Sequence, residues 1–515
     1  MNKFIIPIIV IVIIAVGIGA FLAFEKPAFP EPLTPFEQPQ TKPLTSKQSY
    51  KTTKSQEQIN WDSPFGMHPA HIYEAAVKLR YSKSKYSDAL SMGVKWHRPS
   101  MYMGWPKVQK NLNSQNYDFS DYDKYYGEVP SGINILANII SRTKQESEYT
   151  LAGSFLPVDE RKYLDFVKAA AERYDGDGKN DMPGLKNPIL YWQVGNEPNN
   201  RGRIKDFAKF QKITYRAIKE TCPQCKVIVG GAAQPIVPNK GFVMDEQEYF
   251  DRFSVEYEPI LKELSGEGFD IFDFHWYGTD SGDYRKLGPV YEQIKVLLKK
   301  YGFDGVPVWI TEMGAYSGGP SDKTLSGEKM FPYQTETQQA ADYLKRFIYP
   351  LSLGIEKIFP AFGLMEGFKF NDGYFDHTGF IYEGKGSDDL GIGVKKLSYY
   401  TYKKMVEVLE GSDWNNIQTI QESDGVYVYK FLKNNKPIWV AWNDNTAEKQ
   451  ITISGITLKE VKITEAVPKY ESGKEVTDYN TAFNIETKSV SGGKVAIALK
   501  DKPVFVEKIS EETET

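Results

Sequence analysis

The chain has 515 residues, 41% of them hydrophobic and 14% aromatic, enough to bury a large core and to form two or more domains. Its 63 Lys+Arg stand against 67 Asp+Glu for a net charge of -4, and no basic run stands out, which argues against a nucleic-acid partner. The 33 Tyr, 29 Phe and 9 Trp can line a cleft or fill a core, and composition alone does not separate the two uses.

The first element is apolar. From Phe4 to Phe24 the sequence FIIPIIVIVIIAVGIGAFLAF carries no charge, with Lys3 before it and Glu25-Lys26 after. That length matches the roughly 20 residues needed to cross a bilayer and exceeds the ~7–15 of a signal-peptide core. There is no lipobox cysteine, and the small-x-small sites Gly17-Ile18-Gly19 and Ile18-Gly19-Ala20 are poor cleavage candidates. Residues 1–26 therefore read as an uncleaved signal anchor, a single transmembrane helix, with a cleaved signal peptide and secretion as the alternative. An anchor keeps Lys3 inside and places everything after Lys26 on the extracytoplasmic side of the cell membrane. Residues 27–60, rich in Pro, Thr, Gln, Lys and Ser, read as an extended tether.

From Trp61 to about residue 411, apolar strand-like runs alternate with amphipathic helical runs, the pattern of a parallel α/β fold. Candidate strands lie near Phe65–Met67, Val94–Arg98, Asn134–Ile140, Ile189–Val194, Val227–Gly230, Ile271–His275, Val308–Thr311 and Ile358–Phe362. Eight is the number that closes a (β/α)8 TIM barrel. Connecting segments such as DERKYLDFVKAAAERY and GPVYEQIKVLLKKYG repeat apolar residues at three and four, as helices do. A doubly wound open sheet is the competing architecture, but no Gly-x-Gly-x-x-Gly follows any strand to support a nucleotide site. From 412 to 508 the pattern changes to short alternating strands, GVYVYKFLKN, KPIWVAWND, KQITISG, KVAIALK and KPVFVEKI, read as a small β-sandwich. Residues 509–515 read as a frayed tail.

The only cysteines, Cys222 and Cys225, lie between a helical run and the strand KVIVGG. They are too few for a zinc site and do not open a helix as a redox pair does, so outside the membrane they read as a structural disulfide. Asp175, Asp177 and Asp181 in RYDGDGKNDMPG resemble the start of a calcium loop. However, Lys179 stands where such a loop wants an oxygen and no bidentate Glu follows at the right distance, so a plain acidic turn is slightly favoured over a structural calcium site. His68 and His71 lack the Glu of His-Glu-x-x-His and read as cleft-lining or structural rather than metal-binding.

Several candidate strands end in polar residues: His97 and Arg98 on the second, Asn196-Glu197 on the fourth, His275 and Tyr277 on the sixth, and Glu312 on the seventh. Strand carboxyl ends converge on one face of a barrel, so Glu197 and Glu312 are expected to face each other across one pocket. Two facing carboxylates in different environments make an acid/base plus nucleophile pair.

The motifs VGNEPN and WITEMG, at these two positions, resemble those of clan A glycoside hydrolases, (β/α)8 retaining enzymes with an acid/base Glu after an Asn on strand four and a nucleophile Glu on strand seven. Within the clan, GWPKVQKN followed by YDFSDYDKYYGE, and the β-sandwich after the barrel, are similar to family 39. The resemblance covers roughly residues 61–508. It implies that Glu197 donates a proton to the leaving glycosidic oxygen and that Glu312, paired with Arg98 and hydrogen-bonded by Tyr277, attacks the anomeric carbon. It further implies that Asn196 binds the sugar 2-hydroxyl, and that the carboxyl groups stand about 5–5.5 Å apart. His97, His275 and Trp276 become further candidates for substrate contact. The strand-eight tryptophan of many clan members is absent from KIFPAFGLMEG, where Phe359 or Phe362 could substitute and Glu366 could meet sugar hydroxyls. Trp96, Trp105, Trp192, Trp276 and Trp309 are candidates for sugar platforms or for core.

The expected activity is hydrolysis of O-glycosidic bonds in a β-linked glycan or glycoside by a membrane-tethered, extracytoplasmic enzyme with no cofactor. The alternatives are a non-catalytic carbohydrate-binding or adhesive surface protein on the same scaffold, and an enzyme of different chemistry on the same fold.

Overall fold

The long apolar runs of residues 61–411 are buried on both sides, which is how strands of a closed parallel sheet read in sequence. The computed structural model describes residues 60–72, 84–141, 149–198, 204–234, 245–279, 282–369, 371–385, 389–457 and 459–509. The expected membrane anchor, most of the tether and nearly all of the tail lie outside the described residues. Among the described residues, no helix is long and apolar enough to cross a membrane.

Eight parallel strands form the barrel: β1 (Gly66–Met67), β2 (Trp96–His97), β3 (Asn134–Ile140), β4 (Tyr191–Val194), β5 (Lys226–Val229), β6 (Phe272–Tyr277), β7 (Val308–Gly314) and β8 (Lys357–Pro360). Strands β1 to β5 pair in sequence order, as do β6 to β8. Parallel bridges Ile228↔Ile271 and Ala232↔Phe274 join the two runs at one seam, and Phe65↔Ile358 and His68↔Ala361 close the other. Among the described residues one main helix follows each strand: α1 (Ser87–Met92), α2 (Ser120–Gly127), α3 (Glu160–Tyr174), α4 (Ile204–Thr221), α5 (Glu246–Leu264), α6 (Leu287–Lys300), α7 (Glu336–Ser352) and α8 (Leu397–Leu409), with a further single turn at Trp105–Val108 before α2.

Local chemistry sets these boundaries. Asp159 caps α3 by accepting from the Lys162 amide at 3.0 Å, and Thr335 with Gln338 forms a capping box on α7. In α3 the buried residues Tyr163, Phe166, Val167, Ala170, Ala171 and Tyr174 recur at three and four, so a single stripe faces the sheet. Cys222 and Cys225, both buried, are joined by a disulfide in the turn from α4 to β5. Asp175, Asp177 and Asp181 converge after α3, where their oxygens accept amides of their own loop, such as Gly178 N→Asp181 at 2.8 Å and Lys179 N→Asp177 at 2.8 Å.

Beyond α8 come β9 (Gln418–Ser423), β10 (Val426–Lys433), β11 (Lys436–Asn443), β12 (Lys449–Ser454), β13 (Glu460–Glu465), β14 (Ile485–Ser489), β15 (Lys494–Leu499) and β16 (Val504–Lys508). Six of them form an antiparallel sheet in the order β9-β10-β11-β16-β13-β14, and β12 pairs with β15. Val428, Trp439, Ala441, Ile453, Ile497 and Val506 pack between the two layers. The alternate residues Tyr429, Phe431, Val440, Trp442 and Phe505 belong to the same core cluster as the barrel helices. The central strands of the larger sheet are therefore buried on both faces, and the barrel serves as their second partner. Asp444 ties the seam by accepting from Tyr284 Oη at 2.7 Å and Lys345 Nζ at 2.8 Å. The sequence pattern gave no sign of β9 (QTIQES) or β14 (IETKS), whose residues are largely exposed and polar, and passed over β13 (EVKITE).

Candidate active site

Inward and outward side chains alternate along each barrel strand, with a period of two. At the amino-terminal end the inward positions are apolar: Trp96, Leu136, Ile228, Ile271, Trp309 and Phe359 cluster there, with Trp61 and Tyr191 against them. Two residues further along the same strands stand Arg98, Asn138, Gln193, Asp273 and Thr311, all buried and all polar.

Gln193 organises this layer. Its Oε1 accepts from Arg98 Nε at 2.8 Å and from Asn138 Nδ2 at 2.7 Å, and its Nε2 donates to Asp273. Asp273 also accepts the Thr311 amide at 3.0 Å and the Thr311 hydroxyl at 2.7 Å. Burial raises Asp273 to about 6, against the pull of His275 and Arg98.

A shift in the β6–β7 register pairs Phe274 with Ile310 but His275 with Glu312. The bulge lets the consecutive residues Thr311 and Glu312 both face inward. Glu312 is thereby set at the carboxyl end of the barrel, 2% exposed. Arg98 Nη1 donates to its Oε1 at 2.8 Å and the Tyr277 hydroxyl donates to its Oε2, while Arg98 Nη2 donates to Asn196 Oδ1 at 2.6 Å. Burial alone pushes the Glu312 carboxyl up, but His275 and Arg98 outweigh it and hold it below the ordinary carboxylate value. Burial and Glu312 push the Tyr277 hydroxyl well above its usual value, which keeps it a donor.

Glu197 follows Gly195-Asn196 at the end of β4 with φ of 47°, in the left-handed region, and its amide donates to Gly231 O at 3.0 Å. That turn brings its carboxylate to His275, whose Nδ1 lies 3.0 Å from Glu197 Oε1 and 3.5 Å from Glu312 Oε2. One oxygen of each glutamate and a ring nitrogen of His275 lie within 4.8 Å of one another. Burial works against charge on His275, yet Glu312 and Glu197 raise it above the ordinary imidazole value. There is no room for a side chain beneath this pair: a Cβ on Gly231 would collide with His275 Nε2 and Asp273 Oδ2.

His68 lies 3.7 Å from Glu312 Oε1 through Nε2 and donates from Nδ1 to the Arg98 carbonyl at 2.8 Å. Burial and then Arg98 drive it down to about 3, so it stays neutral. Phe362 continues the wall, 5.5 Å from the His68 ring centroid and stacked on Phe368 at 4.0 Å.

The structure thus brings together Arg98, Asn196, Glu197, His275, Tyr277 and Glu312, and leaves three of the expected contacts elsewhere. His97 is an outward residue of β2: its Nδ1 accepts the Ala70 amide at 3.0 Å, and its ring packs among His71, Tyr86 and Tyr125. Trp276 is the outward residue between His275 and Tyr277 and packs on Tyr249 of α5. Glu366 is buried in an ion pair with Lys396, which removes it from solvent. The five tryptophans considered as sugar platforms are all buried, as is Phe359, which leaves Phe362 at the rim. Sequence reading missed Asn138, Gln193, Asp273 and Thr311, although each lies two residues beyond, or on the strand beside, an apolar inward position.

No protein-family model matches the sequence, and no curated protein matches it. Solved structures do match. A family 39 glycoside hydrolase from the gut symbiont Bacteroides cellulosilyticus WH2 superposes with a TM-score of 0.57 at 15% identity, over 86% of this chain and 80% of that one. A GH39 β-xylosidase from Caulobacter crescentus gives 0.55 at 14% identity, over 87% and 96%. An α-L-arabinofuranosidase from Thermotoga maritima gives 0.52 at 12% identity, over 87% and 92%. At that level of identity the shared property is the fold: the chain has the architecture of clan A glycoside hydrolases, a (β/α)8 barrel followed by a β-sheet domain, and resembles family 39 among them.

Proposed function

We propose that the chain is a retaining glycoside hydrolase acting on a β-linked glycan or glycoside through Glu312 and Glu197. The observation that carries this reading is the Glu312 carboxylate held ionised by His275 and Arg98 and hydrogen-bonded by Tyr277, with an oxygen of Glu197 and a ring nitrogen of His275 within 4.8 Å of it. So close an approach of the two carboxylate oxygens favours retention, where the carboxyl groups stand roughly 5–5.5 Å apart, over inversion, which needs roughly 6.5–9.5 Å to admit a water.

In the first step Glu312 attacks the anomeric carbon while Glu197 gives its proton to the departing oxygen, so that one C–O bond forms as another breaks. In the second step Glu197 takes a proton from water, whose oxygen displaces Glu312 and regenerates both groups. His275 touches both carboxylates, so the proton on the acid/base belongs to the Glu197–His275 pair. Asn196, oriented by Arg98, is placed to bind the 2-hydroxyl, a contact that strengthens as positive charge develops on the sugar ring. Phe362 supplies an apolar face for that ring.

We also propose that the apolar run Phe4–Phe24 tethers this enzyme to the cell membrane, with the barrel extracytoplasmic. Full-length protein is then expected to need detergent for extraction, and a mature amino terminus near Phe21 would contradict it.

The test is a screen of aryl β-glycosides and β-linked polysaccharides with Glu312→Ala as control. Hydrolysis lost in the variant supports the reading and names the sugar. Binding with no cleavage of any substrate supports a carbohydrate-binding surface protein instead.

A further inference from the structure

At the amino-terminal end of the barrel, opposite the Glu197–Glu312 cluster, a cavity of about 440 Å³ opens where β8 meets the segment leading into the larger sheet. Asp62, Glu356, Lys357, Ser412, Asp413 and Trp414 line it. Lys357 is 4% exposed. Its Nζ lies 5.0 Å and 5.4 Å from the ring centroids of Trp96 and Trp309, and it takes part in no ion pair or hydrogen bond among the described residues. Nearby carboxylates are engaged elsewhere: Glu410 accepts from Asn60 at 2.6 Å and Ser63 at 2.7 Å, and Glu356 accepts from Trp309 Nε1 at 3.2 Å. Ser412 Oγ is also buried without a hydrogen-bond partner.

A buried donor left without an acceptor costs about 1–3 kcal/mol; Ser412 Oγ is such a group in the lining of this cavity, and the Lys357 amine in the same lining has no carboxylate paired to it among the described residues. Three carboxylates against one amine disfavour an anion in this space, and the amine disfavours a cation. A neutral polyhydroxylated molecule suits both signs, because each hydroxyl can accept from Lys357 and donate to Asp62, Glu356 or Asp413. The half-buried Trp414 adds an aromatic surface for C–H groups, and the volume lies within the range of small-molecule sites. We propose that this cavity binds a neutral saccharide of one or two residues, independently of the catalytic cluster. An enzyme working on a long glycan would use such a site to hold chain or product away from the reacting bond.

Lys357 is its own reporter, because burial lowers its amine to about 8 and makes it more reactive near neutral pH than an exposed lysine. The full-length protein in detergent is pulsed with trace acetic anhydride at neutral pH, alone or with xylobiose, cellobiose or sodium sulfate. Acetylation at each lysine is read by peptide mass spectrometry. A disaccharide at ten times its dissociation constant is expected to slow acetylation of Lys357 about tenfold and leave exposed lysines unchanged. The same protection is expected in Glu312→Ala, so the result does not depend on hydrolysis. Asn415→Trp, which fills the exposed rim, is expected to abolish protection without changing turnover of aryl glycosides. Lack of protection by both disaccharides, protection by sulfate instead, or protection that survives Asn415→Trp would each overturn the proposal.

Discussion

The two ends of the barrel are built on the same strands and differ by a shift of two residues. Trp96, Leu136, Tyr191, Ile271 and Trp309 give way to Arg98, Asn138, Gln193, Asp273 and Thr311. Inward geometry is the same at both levels, since side chains two apart on a strand point the same way. The environments they create are opposite. The lower layer is held by aromatic contacts, such as Trp96 against Trp309 at 5.3 Å and Tyr191 stacked on Trp309 at 5.3 Å. The upper layer is a hydrogen-bonded network in which removing one partner strands the next. The comparison teaches a division of labour: the apolar floor stabilises the barrel without touching substrate, and the polar layer above it gains rigidity from that floor and spends its specificity on charge.

That division predicts distinct failures at the two levels. The largest effect is expected for Glu312→Ala, which should lower kcat by about 10⁴-fold or more because the group is lost from the reaction itself, while the protein still folds with an unfolding midpoint lowered by the stranding of buried Arg98. Glu197→Ala should lower kcat about 10²–10⁴-fold on substrates with poor leaving groups, less on activated aryl glycosides, and azide should restore turnover of the latter. At the floor, Phe359→Ala should cost about 3–5 kcal/mol in urea denaturation and leave kcat per folded molecule within a few fold. If that variant instead lost activity at unchanged stability, the two layers would not be separable. Arg98→Met probes the coupling between network and charge. In the proposed mechanism Glu312 acts as a carboxylate, so activity should fall as pH drops through its value, and loss of the guanidinium should move that acid limb up by about 1–3 pH units. The smallest effect belongs to the Cys222–Cys225 disulfide, which closes so short a loop that the double alanine variant should lose about 2 kcal/mol of stability and no activity.

Much of this arrangement was legible in the sequence because closed barrels write their strands as long apolar runs and their sites as polar residues where those runs stop. Arg98, Glu197, His275 and Glu312 all stand at such stops. What was not legible depended on facing direction. His97 and Trp276 sit beside inward residues and look equally chemical in sequence, but the pleat turns both outward onto helices and loops. The bulge that brings Thr311 and Glu312 inward together breaks the same alternation, and no local pattern announces it. Glu366 lies just past β8, and only the fold brings Lys396 to neutralise it. In the larger sheet, β9 and β14 carry exposed polar residues on both faces, so hydrophobic alternation, the signal by which strands are read, is missing from them.

The most direct test of the account is covalent trapping. The protein is incubated with the 2,4-dinitrophenyl 2-deoxy-2-fluoro-β-glycoside of whichever sugar the substrate screen identifies, and the labelled peptide is sequenced by mass spectrometry. The account predicts stoichiometric inactivation with a single fluoroglycosyl group on Glu312, and no label in Glu312→Ala. A label on another residue, or turnover of the parent glycoside with no trapped intermediate and inverted product, would contradict it.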